Sequence, residues 1–359
     1  MHLLHAIPDS SLGGAGILLE TLLAHLDPAR FRVTVVTPRA NRRATAYAAL
    51  GARVCLCDTM PDRALYAPDV PVFRELCRQI APDVVHTHGW PAFRLGARLA
   101  PGRKPLLNSK HCALQLPAYP GLYRWMTDRT VATSQEAAAL LVRAGIPVRE
   151  VVCIPNVPDT PGILPGMRER TRARLGIGPE VFVVGVCARL EKVKGHDSLL
   201  ACAVRLREAP VCFILVGDGQ ERTRLQQEVC KQNLTKTVLF VGKAADPAPY
   251  YAAMDAHLSC SLGSETSSLA LQEGMAAGLP TASSDIPGNR AVLGEGGVLF
   301  PPGDGAGMAA AVLRLMAERE GQAARSLAVA ARRSAAGMAA AYETLYEEMQ
   351  SGFDKTRSL

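Results

Sequence analysis

Short apolar runs alternate with amphipathic runs of helical period along the whole chain, which predicts an α/β protein built on parallel sheets. The five leucines of the first helical run, Ile17–Leu26, share one face. In the first half of the chain we predict strands at His2–Ala6, Arg32–Thr37, Arg53–Cys57, Val84–His86, Pro105–Asn108, Thr130–Thr133 and Val151–Ile154.

A proline-rich stretch, Pro155–Gly166, interrupts the alternation and is typical of an interdomain linker. The alternation then restarts, and we predict strands at Val181–Val186, Val211–Val216, Val238–Val241, His257–Ser259, Pro280–Ala282 and Gly297–Phe300. The alanine-rich segment Gly307–Gln350 reads as helical, and Ser351–Leu359 as a polar, disordered tail. The chain therefore divides into a first domain, residues 1–158, and a second α/β domain that follows it.

Composition is that of a globular protein, with 48% hydrophobic and 20% charged residues among 359. No apolar run reaches the roughly 18 residues that a membrane-spanning helix needs, and the N-terminus lacks the features of a signal peptide. The ten cysteines are scattered without a C-x-x-C pair. This usage favours buried, reduced thiols in a cytosolic protein over zinc sites or disulfides.

The net charge of +7 belongs to the first domain, which has 18 Lys and Arg against 11 Asp and Glu. Such an excess is compatible with nucleic acid, an anionic membrane surface or an anionic substrate. The basic residues are mostly isolated arginines without interleaved aromatics, so nucleic acid is the least favoured of the three.

Two carboxylates, Glu265 and Glu273, are separated by seven residues in the stretch SLGSETSSLALQEGMAAGLPTASSD. Eight residues of one helix would turn the second acid about 80° away from the first. Both acids face one ligand only if Glu265 lies in the loop before a helix and Glu273 in its first turns. Ser267 or Ser268 is then the expected N-cap, and the helix start suits a ligand with phosphates and hydroxyls.

Two further loops follow predicted strands and contain groups suited to an anion. Arg189 and Lys194 come just after the strand Val181–Val186, where ligands of parallel sheets bind, although a solvated loop is an equally good interpretation. Gly217 opens the V-G-D-G turn after the strand Val211–Val216, where close backbone approach is its expected use.

The glycine-rich turn Gly13-Gly14-Ala15-Gly16 follows the first strand and opens a helix. A phosphate- or acceptor-binding loop is the favoured interpretation, a plain tight turn is the second, and a dinucleotide site is the least favoured because G-x-G-x-x-G is absent.

Histidines end two neighbouring strands, at His86-Thr87-His88 and at His111, which indicates a polar cleft at that edge of the sheet. Zinc is an alternative, but no H-E-x-x-H or cysteine-rich companion supports it. The aromatic segment Leu114–Thr127 is either packed inside the domain or in contact with a membrane or an apolar acceptor.

Taken in order, these motifs resemble the family 4 retaining glycosyltransferases over nearly the whole chain. The resemblance rests on the Gly-Gly turn, D-V-V-H-x-H at Asp83–His88, the strand ending at His111, I-P-N, A-R-L-E-K-x-K-G, V-G-D-G, and E-x7-E followed by G-M-A-A-G-L-P. Each motif is weak alone, whereas their order and spacing are specific.

The resemblance implies the GT-B architecture: two Rossmann-like domains with parallel sheets that face each other across a cleft. The N-terminal domain, residues 1–158, would bind the acceptor and be joined by the C-terminal helix at about 336–350. The second domain, residues 159–335, would bind a UDP- or GDP-linked sugar. The resemblance implies roles for catalytic residues His111, Glu265, Arg189 and Lys194, and for substrate-binding residues Gly14, Arg189, Lys194, Gly217, Glu265, Ser267, Ser268, Leu269 and Glu273.

Within that scheme, Arg189 and Lys194 clamp the diphosphate, Glu273 binds the ribose hydroxyls, Glu265 meets the sugar, and His111 lies near its reacting face. The two cations would stabilise the leaving diphosphate in place of a metal, and no D-x-D pair is evident, so we expect neither a divalent cation nor a cofactor. Three positions depart from the family pattern: Thr266-Ser267-Ser268 after the first acid, Gly274 after the second, and Gly16.

The expected activity is retaining transfer of a sugar to a lipid-linked or cell-surface polysaccharide or lipopolysaccharide acceptor. The basic first domain would contact anionic lipid at the inner face of the membrane, with the protein otherwise cytoplasmic. The alternatives are a sugar-nucleotide 2-epimerase on the same fold and a non-catalytic sugar-nucleotide-binding protein.

Overall fold

The computed structural model describes residues 1–7, 14–57, 69–89, 91–111, 120–263 and 265–357, which form two compact units. The first unit comprises Met1–Pro158 and Ala335–Leu359, and the second comprises Asp159–Ser334. Each unit is a parallel sheet with helices in the crossover connections, as the alternating pattern predicts.

The first unit contains a seven-stranded sheet with the order β3-β2-β1-β4-β5-β6-β7, in which every pairing is parallel. Its strands are β1 His2–Ala6, β2 Arg32–Pro38, β3 Arg53–Cys57, β4 Val84–Thr87, β5 Leu106–Lys110, β6 Arg129–Ala132 and β7 Val151–Cys153. Its helices before the linker are α1 Gly14–His25, α2 Ala44–Ala49, α3 Asp69–Ile80, α4 Pro91–Leu99, α5 Pro120–Trp125 and α6 Gln135–Arg143.

The second unit contains a six-stranded parallel sheet with the order β10-β9-β8-β11-β12-β13. Its strands are β8 Phe182–Cys187, β9 Val211–Val216, β10 Val238–Gly242, β11 Ala256–Ser259, β12 Thr281–Ser284 and β13 Val298–Phe300. Its helices are α7 Met167–Leu175, α8 His196–Arg205, α9 Arg222–Lys231, α10 Ala248–Ala253, α11 Leu269–Ala276, α12 Pro287–Leu293, α13 Gly305–Ala317 and α14 Arg319–Ala330. All six residues of β9 are buried, since helices cover both faces of the sheet.

All thirteen predicted strands are confirmed, with boundaries that differ by one or two residues at most. The first helix begins at Gly14, three residues before the start that its leucine face indicates. The stretch from Ile154 to Leu164 has neither helix nor strand, in keeping with a linker.

The prediction of a disordered tail over Ser351–Leu359 is wrong for most of its length. The last helix, α15, runs from Ala335 to Arg357. No proline interrupts this sequence, and the ring of Phe353 lies 5.7 Å from the guanidinium carbon of Arg103, so the polar end gains a tertiary contact.

α15 returns to the first unit after the whole of the second. Tyr346 of this helix is hydrogen-bonded with His86 of β4 at 2.8 Å, and Tyr342 with Ser109 of β5 at 3.1 Å. Glu343, the residue after Tyr342 in the same helix, accepts from the backbone N–H of Asp27 at 2.8 Å. None of the helices that the structure describes is both long enough and apolar enough to span a membrane.

Each sheet has a point at which the strand order reverses, between β1 and β4 in the first unit and between β8 and β11 in the second. Chain segments leave neighbouring strands in opposite directions there, which opens a crevice at the carboxyl ends where ligands of such sheets bind. Lys194 follows β8 and Glu265 follows β11, whereas Gly14 follows β1 and His88 follows β4.

Candidate functional site

Lys194 and Glu265 form an ion pair between the carboxyl ends of the neighbouring strands β8 and β11. The two side chains are only 19% and 15% exposed. The same carboxylate oxygen of Glu265 accepts from the Ser261 hydroxyl at 3.0 Å. This pair brings together two residues that lie 71 positions apart in the sequence, and it puts an ammonium and a carboxylate at the reversal point of the second sheet.

A glycine fixes the turn that presents Lys194. Gly195 has a φ of +72°, and a Cβ built there would lie 1.9 Å from the carbonyl oxygen of Cys260. Because backbone is the obstacle, only glycine fits between the 3-10 turn Lys192–Lys194 and the segment after β11. The thiol of Cys260 also donates to the carbonyl of Lys194 at 3.1 Å, which ties the two segments together.

The loop that carries Glu265 is held by hydroxyl and amide groups from the next strand and helix. The Ser284 hydroxyl donates to the carbonyl of Ser261 at 2.6 Å, and the amide of Asn289 donates to the Ser284 hydroxyl at 3.2 Å. A Cβ on Gly288 would lie 2.1 Å from the carbonyl oxygen of Glu265. The backbone at Glu265 is therefore positioned by close packing as well as by hydrogen bonds.

Glu265 precedes helix α11 and Glu273 lies within it, as the spacing of the two acids predicts. Ser268 is the N-cap, and its hydroxyl accepts from the N–H of Leu271 at 3.4 Å. The hydroxyl of Ser267 accepts from the side-chain amide of Gln272 at 3.1 Å. Leu269 is the first residue of the helix and is partly exposed.

Glu273 is held from behind by a buried tyrosine that the sequence analysis did not select. The hydroxyl of Tyr251, in α10, donates to Glu273 Oε2 at 2.7 Å. Burial raises the pKa of Glu273, and the hydrogen bond from Tyr251 opposes part of that rise. The bond occupies one carboxylate oxygen and fixes the direction of the other. No sequence signal marks Tyr251, since it lies 22 residues before the acid on a different helix.

Arg189 is presented at the surface by two glycines of the V-G-D-G turn. A Cβ on Gly217, whose φ is +151°, would lie 1.9 Å from the carbonyl oxygen of Ala188, and one on Gly219 would lie 2.4 Å from that of Leu190. Leu190 in turn donates its N–H to the carbonyl of Asp218 at 3.0 Å. Gly217 thus contributes by close backbone approach, as its sequence position indicates.

The side chain of Arg189 is 65% exposed and pairs with Glu191. The structure therefore brings Lys194 and Glu265 into contact and leaves Arg189 extended into solvent on the same stretch of chain.

Two departures from the family pattern have a steric explanation in this chain. A Cβ on Gly274 would lie 2.5 Å from the Cγ of the buried His257 ring, so histidine at 257 requires glycine at 274. A Cβ on Gly16 would lie 2.7 Å from the Cδ of Arg43, whose guanidinium pairs with Glu20. Glu20 thus supplies, one helical turn later, a carboxylate that residue 16 lacks.

The third departure causes no backbone strain. Among the described residues only Ala81 and Asn233 are non-glycine residues with positive φ, so Thr266 has an ordinary conformation. The freedom of a glycine is not needed at this position, and the buried Thr266 side chain instead fills space beside the loop.

In the first unit, Gly14 is exposed and is the first residue of α1. Gly13, which precedes it in the glycine turn, lies outside the described residues. His111 directly follows β5, and its Nε2 lies 3.0 Å from Nδ1 of His88. The histidines at the ends of β4 and β5 are therefore in contact, as expected of neighbouring strands, and the polar cleft at this edge stays a prediction.

Three buried histidines, His5, His86 and His88, have ring nitrogens within 4.8 Å of one another, which is close enough to consider a metal ion. His86 is hydrogen-bonded through one nitrogen with Tyr346 and through the other with Ser109, each at 2.8 Å. His88 likewise uses one nitrogen with His5 and the other with His111. Both ring nitrogens of His86 and of His88 are therefore engaged, and among these three rings Nε2 of His5 alone lacks a partner in the described part of the chain, so we assign the rings to a hydrogen-bond network.

In the aromatic segment Leu114–Thr127, some of the described side chains are packed inside the domain and others are exposed. Tyr123 is buried, and its hydroxyl is hydrogen-bonded with Asn108 and Thr130 at 2.9 and 3.0 Å. Trp125 is 49% exposed and Leu122 46% exposed on the same short helix. Tyr119 belongs to the segment 112–119, which lies outside the described part of the chain.

The protein has two parallel α/β units, and in the second unit one acid lies before, and another inside, the helix that follows the reversal point. This combination defines the GT-B class of nucleotide-sugar enzymes. Residues 12–160 match the family model described as Glycosyltransferase Family 4, and residues 181–318 match the model described as Glycosyl transferases group 1. The chain belongs to the family 4 glycosyltransferases.

Curated relatives are similar at moderate identity. One is a D-inositol 3-phosphate glycosyltransferase of Catenulispora acidiphila, 28% identical over 65% of this chain and 64% of the relative. Another is a GDP-mannose-dependent alpha-mannosyltransferase of Mycobacterium tuberculosis, 29% identical over 75% of this chain and 72% of the relative. The first of these matches thus spans slightly less than two thirds of its relative's length.

Among solved structures, Anabaena Alr3699/HepE in complex with UDP-glucose superimposes with a TM-score of 0.83. The similarity covers 97% of this chain and 100% of that one at 22% identity, and it establishes the fold alone.

Proposed function

We propose that this protein is a retaining glycosyltransferase that moves a sugar from a UDP- or GDP-linked donor to a lipid-linked or cell-surface polysaccharide or lipopolysaccharide acceptor. The observation that carries the proposal is the Lys194–Glu265 pair at the reversal point of the second sheet, beside helix α11 with Glu273. Similar proteins named as inositol phosphate and mannose transferases, and a similar structure that contains UDP-glucose, support this donor class.

The arrangement of charges fits cleavage of a sugar–diphosphate bond. Negative charge develops on the leaving diphosphate, and Lys194 and Arg189 are the cations placed to stabilise it. A diphosphate beside Lys194 would compete with Glu265 for the ammonium. Glu265 would then accept hydrogen bonds from sugar hydroxyls, so one ion pair serves both halves of the donor.

Glu273 would accept from the ribose hydroxyls through the oxygen that Tyr251 leaves available. The exposed start of α11, with Ser267, Ser268 and Leu269, would face the donor's phosphates or sugar. Gly14 at the start of α1 would meet phosphate or acceptor, and His111 the reacting face of the sugar. We assign no covalent nucleophile, and we propose that transfer needs neither a divalent cation nor a cofactor.

We further propose that the first unit meets the acceptor at the inner face of the membrane. Leu122 and Trp125 on α5 and Val148 on the turn Val148–Glu150 are 46%, 49% and 71% exposed. Arg124 of α5 pairs with Glu150 through two hydrogen bonds of 3.2 and 3.1 Å, which joins these two elements. Residues 1–158 have a net charge of +7 and residues 335–359 of −2, so the first unit as a whole has a charge of +5. Exposed apolar side chains on such a unit suit anionic lipid.

The test is incubation of the purified protein with UDP- and GDP-sugars, with and without lipid-linked acceptors and with EDTA present, followed by mass spectrometry. Transfer with retained anomeric configuration supports the proposal. Product formed from the donor without acceptor would instead identify the 2-epimerase. Binding without any turnover would identify the non-catalytic sugar-nucleotide-binding protein.

Lys194→Ala should lower kcat/KM for the donor by roughly 10²–10³, because it removes a charge that stabilises the leaving diphosphate. Lys192→Ala is the matched control, since Lys192 is an exposed lysine on the same 3-10 turn. Equal kcat/KM in the Lys194 variant and wild type would remove Lys194 from the site, whereas an equal loss in both variants would indicate that only the charge of the turn matters.

A further inference from the structure

A buried arginine at the start of helix α4 has no acidic partner among the described residues. Arg94 is the fourth residue of α4 and is 5% exposed. Its Nη1 donates to the carbonyl oxygen of Gly89 at 3.3 Å, so the side chain folds back toward the turn that joins β4 to α4. Its Nε is buried and has no hydrogen-bond partner in the described part of the chain. The guanidinium therefore has unused donors inside the first unit.

Two other arginines of similar burial each pair with an acid. The side chain of Arg98, one turn later on the same helix, is 5% exposed and lies 3.0 Å from Asp128. In the second unit, the side chain of Arg172 is 7% exposed and pairs with Asp255. Burial lowers the pKa of Arg94, but a guanidinium is too strong a base to lose its proton in a folded protein. Arg94 is therefore a buried cation, and buried cations are normally neutralised by an anion.

The guanidinium of Arg94 is held in a fixed position. Its central carbon lies 4.7 Å from the centre of the Tyr123 ring. The hydroxyl of Tyr123 is hydrogen-bonded with the amide of Asn108 at 2.9 Å, and Oδ1 of Asn108 accepts from the N–H of Gly89 at 3.2 Å. The two groups that contact Arg94 are thus joined through β5. The aromatic ring attracts the cation, yet it does not replace a carboxylate as the acceptor for its N–H groups.

The surroundings of Arg94 favour an anion. Strand β4 ends at the reversal point of the first sheet, where ligands of such sheets bind. The first turn of α4 presents N–H groups without partners in the helix, and the Arg94 side chain folds back to this end. Gly89 is exposed, and among the described residues nothing lies within 4 Å of a Cβ built there. The turn beside the guanidinium is therefore open to solvent.

We propose that Arg94, together with the start of α4, binds an oxyanion of the acceptor, either a phosphate or a carboxylate, and so selects acceptors that carry such a group. This inference rests on the proposed function, which assigns the acceptor to the first unit. A guanidinium matches both oxyanions in charge and in the spacing of its donors. The turn at Gly89 directly follows His88, whose ring contacts His111, so an acceptor bound at Arg94 lies beside the histidine expected at the reacting face.

Anion binding can be tested without donor or acceptor. Nuclear magnetic resonance of ¹⁵N-labelled arginine side chains follows the Nε–H of Arg94, which its loss in Arg94→Met assigns. We expect inorganic phosphate, and separately acetate, to shift this resonance in a saturable way at millimolar concentrations. The Nε–H of Arg98 is the internal control and should not move, because its guanidinium is paired with Asp128. If neither anion moves the Arg94 resonance, or if both arginines respond alike, the proposal is wrong.

The selection of acceptors is tested with the acceptor sugar that the transfer assay identifies. It is supplied as the neutral methyl glycoside, as the glycosyl phosphate, as the phosphate-linked lipid and as the uronic acid. We expect wild-type kcat/KM to be about 10- to 100-fold higher for an anionic form than for the neutral one, the range typical of hydrogen bonds to a charged group. Preference for the phosphate forms or for the uronic acid supports the proposal and identifies the source of the oxyanion.

Arg94→Met should abolish this preference and leave the KM for the donor unchanged. Arg98→Met is the matched control, because Arg98 lies on the same helix at similar burial but already has an acid. It should keep the preference even if it lowers stability, since a ratio of two acceptors on one protein does not depend on the folded fraction. Equal use of all forms by the wild type, or an unchanged preference in Arg94→Met, would overturn the proposal.

Failure of the proposed function gives a different result. If the wild-type protein turns over no sugar nucleotide, the enzymatic proposal fails, while the Arg94 resonance still decides whether this site binds an oxyanion.

Discussion

Both units bury neutral histidines, but the other polar groups of their interiors differ. The first unit buries a network of neutral groups, in which His86 joins Ser109 and Tyr346, and His88 joins His5 and His111. The second unit buries one carboxylate, Asp255, among three guanidinium groups. The difference matters because neutral imidazoles are disturbed by protons near neutral pH, whereas a carboxylate paired with arginines is not.

Asp255 stabilises the start of strand β8 in the second sheet. It accepts from the N–H of Val183 at the start of β8 at 2.8 Å and pairs with Arg168, Arg172 and Arg319, which come from α7 and α14. Burial alone would raise the pKa of Asp255, but the hydrogen bonds from Val183 and Arg168 and the charge of Arg172 outweigh it and lower the pKa. One side chain thus joins a strand to two helices.

The largest effect that we expect is the loss of stability in Asp255→Ala. Arg172, whose side chain is 7% exposed, would be left as a buried charge without its carboxylate, which costs about 3–5 kcal/mol of unfolding free energy. Native-state hydrogen exchange should show the loss at β8 and β11 and not in the first unit.

Glu295→Ala is the control for this variant, because Glu295 and Arg332 form a pair that is more than 60% exposed on both sides. Its cost should be small, because an ion pair this exposed is screened by solvent. If Asp255→Ala costs no more than this control, the cluster is not what fastens the second unit.

The comparison also predicts which of the two units loses stability first as the pH falls. The pKa values of His5, His86 and His88 lie below the ordinary value because of burial, so the unfolded chain binds more protons than the first unit does below about pH 6.5. Stability is complete above that pH and falls as the pH drops toward the folded-state pKa values. Each ring contributes a slope of about 1.4 kcal/mol per pH unit.

The second unit has two such rings, His196 and His257, whose pKa values burial lowers to about 4 and about 3. Asp255 adds stability that is fully present above its unfolded-state pKa and is lost as the pH falls from there toward its depressed folded-state pKa. The pKa of His2, also on β1, is lowered as well, so the first unit has more such rings than the second. Exchange free energies between pH 7 and pH 5 should therefore fall more steeply in β1, β4 and β5 than in β8 and β11. Equal slopes would show that the histidine network does not distinguish the two interiors.

Much of this architecture follows from local pattern, because apolar runs of strand length and amphipathic helical runs are local properties. All thirteen strands and the placement of Glu265 before α11 and Glu273 within it were predictable for this reason. Order and spacing of short motifs also sufficed to identify the family.

What the sequence did not reveal depends on contacts between distant segments. Tyr251 meets Glu273 only because α10 and α11 pack beside one strand, and His5 meets His88 only because β1 and β4 are neighbours across a crossover. The fit of His257 against Gly274 is a similar case. A single sequence carries no period or spacing that marks such pairs.

The smallest effect concerns Glu273, an acid of the second unit whose side-chain partner, Tyr251, is neutral. Tyr251→Phe removes the hydrogen bond to Glu273 Oε2 and should weaken donor binding by about 0.5–1.5 kcal/mol, since only orientation of the carboxylate is lost. The pKa of Glu273 is already raised by burial, and the Tyr251 bond opposes that rise. Without the bond the pKa rises further, because the ionised form loses a donor.

The acid limb of kcat/KM for the donor should therefore move to higher pH in Tyr251→Phe, since donor binding needs ionised Glu273. Tyr250→Phe, on the adjacent position of the same helix, is the control and should leave the limb in place. If the acid limb shifts but the affinity at pH 8 does not fall, Tyr251 acts by tuning the charge of Glu273. If the affinity at pH 8 falls but the limb does not shift, Tyr251 acts by orienting the carboxylate. If neither the acid limb nor the affinity for the donor changes, Tyr251 contributes only to the core of the second unit. Like the Asp255 cluster, it would then have no part in the site.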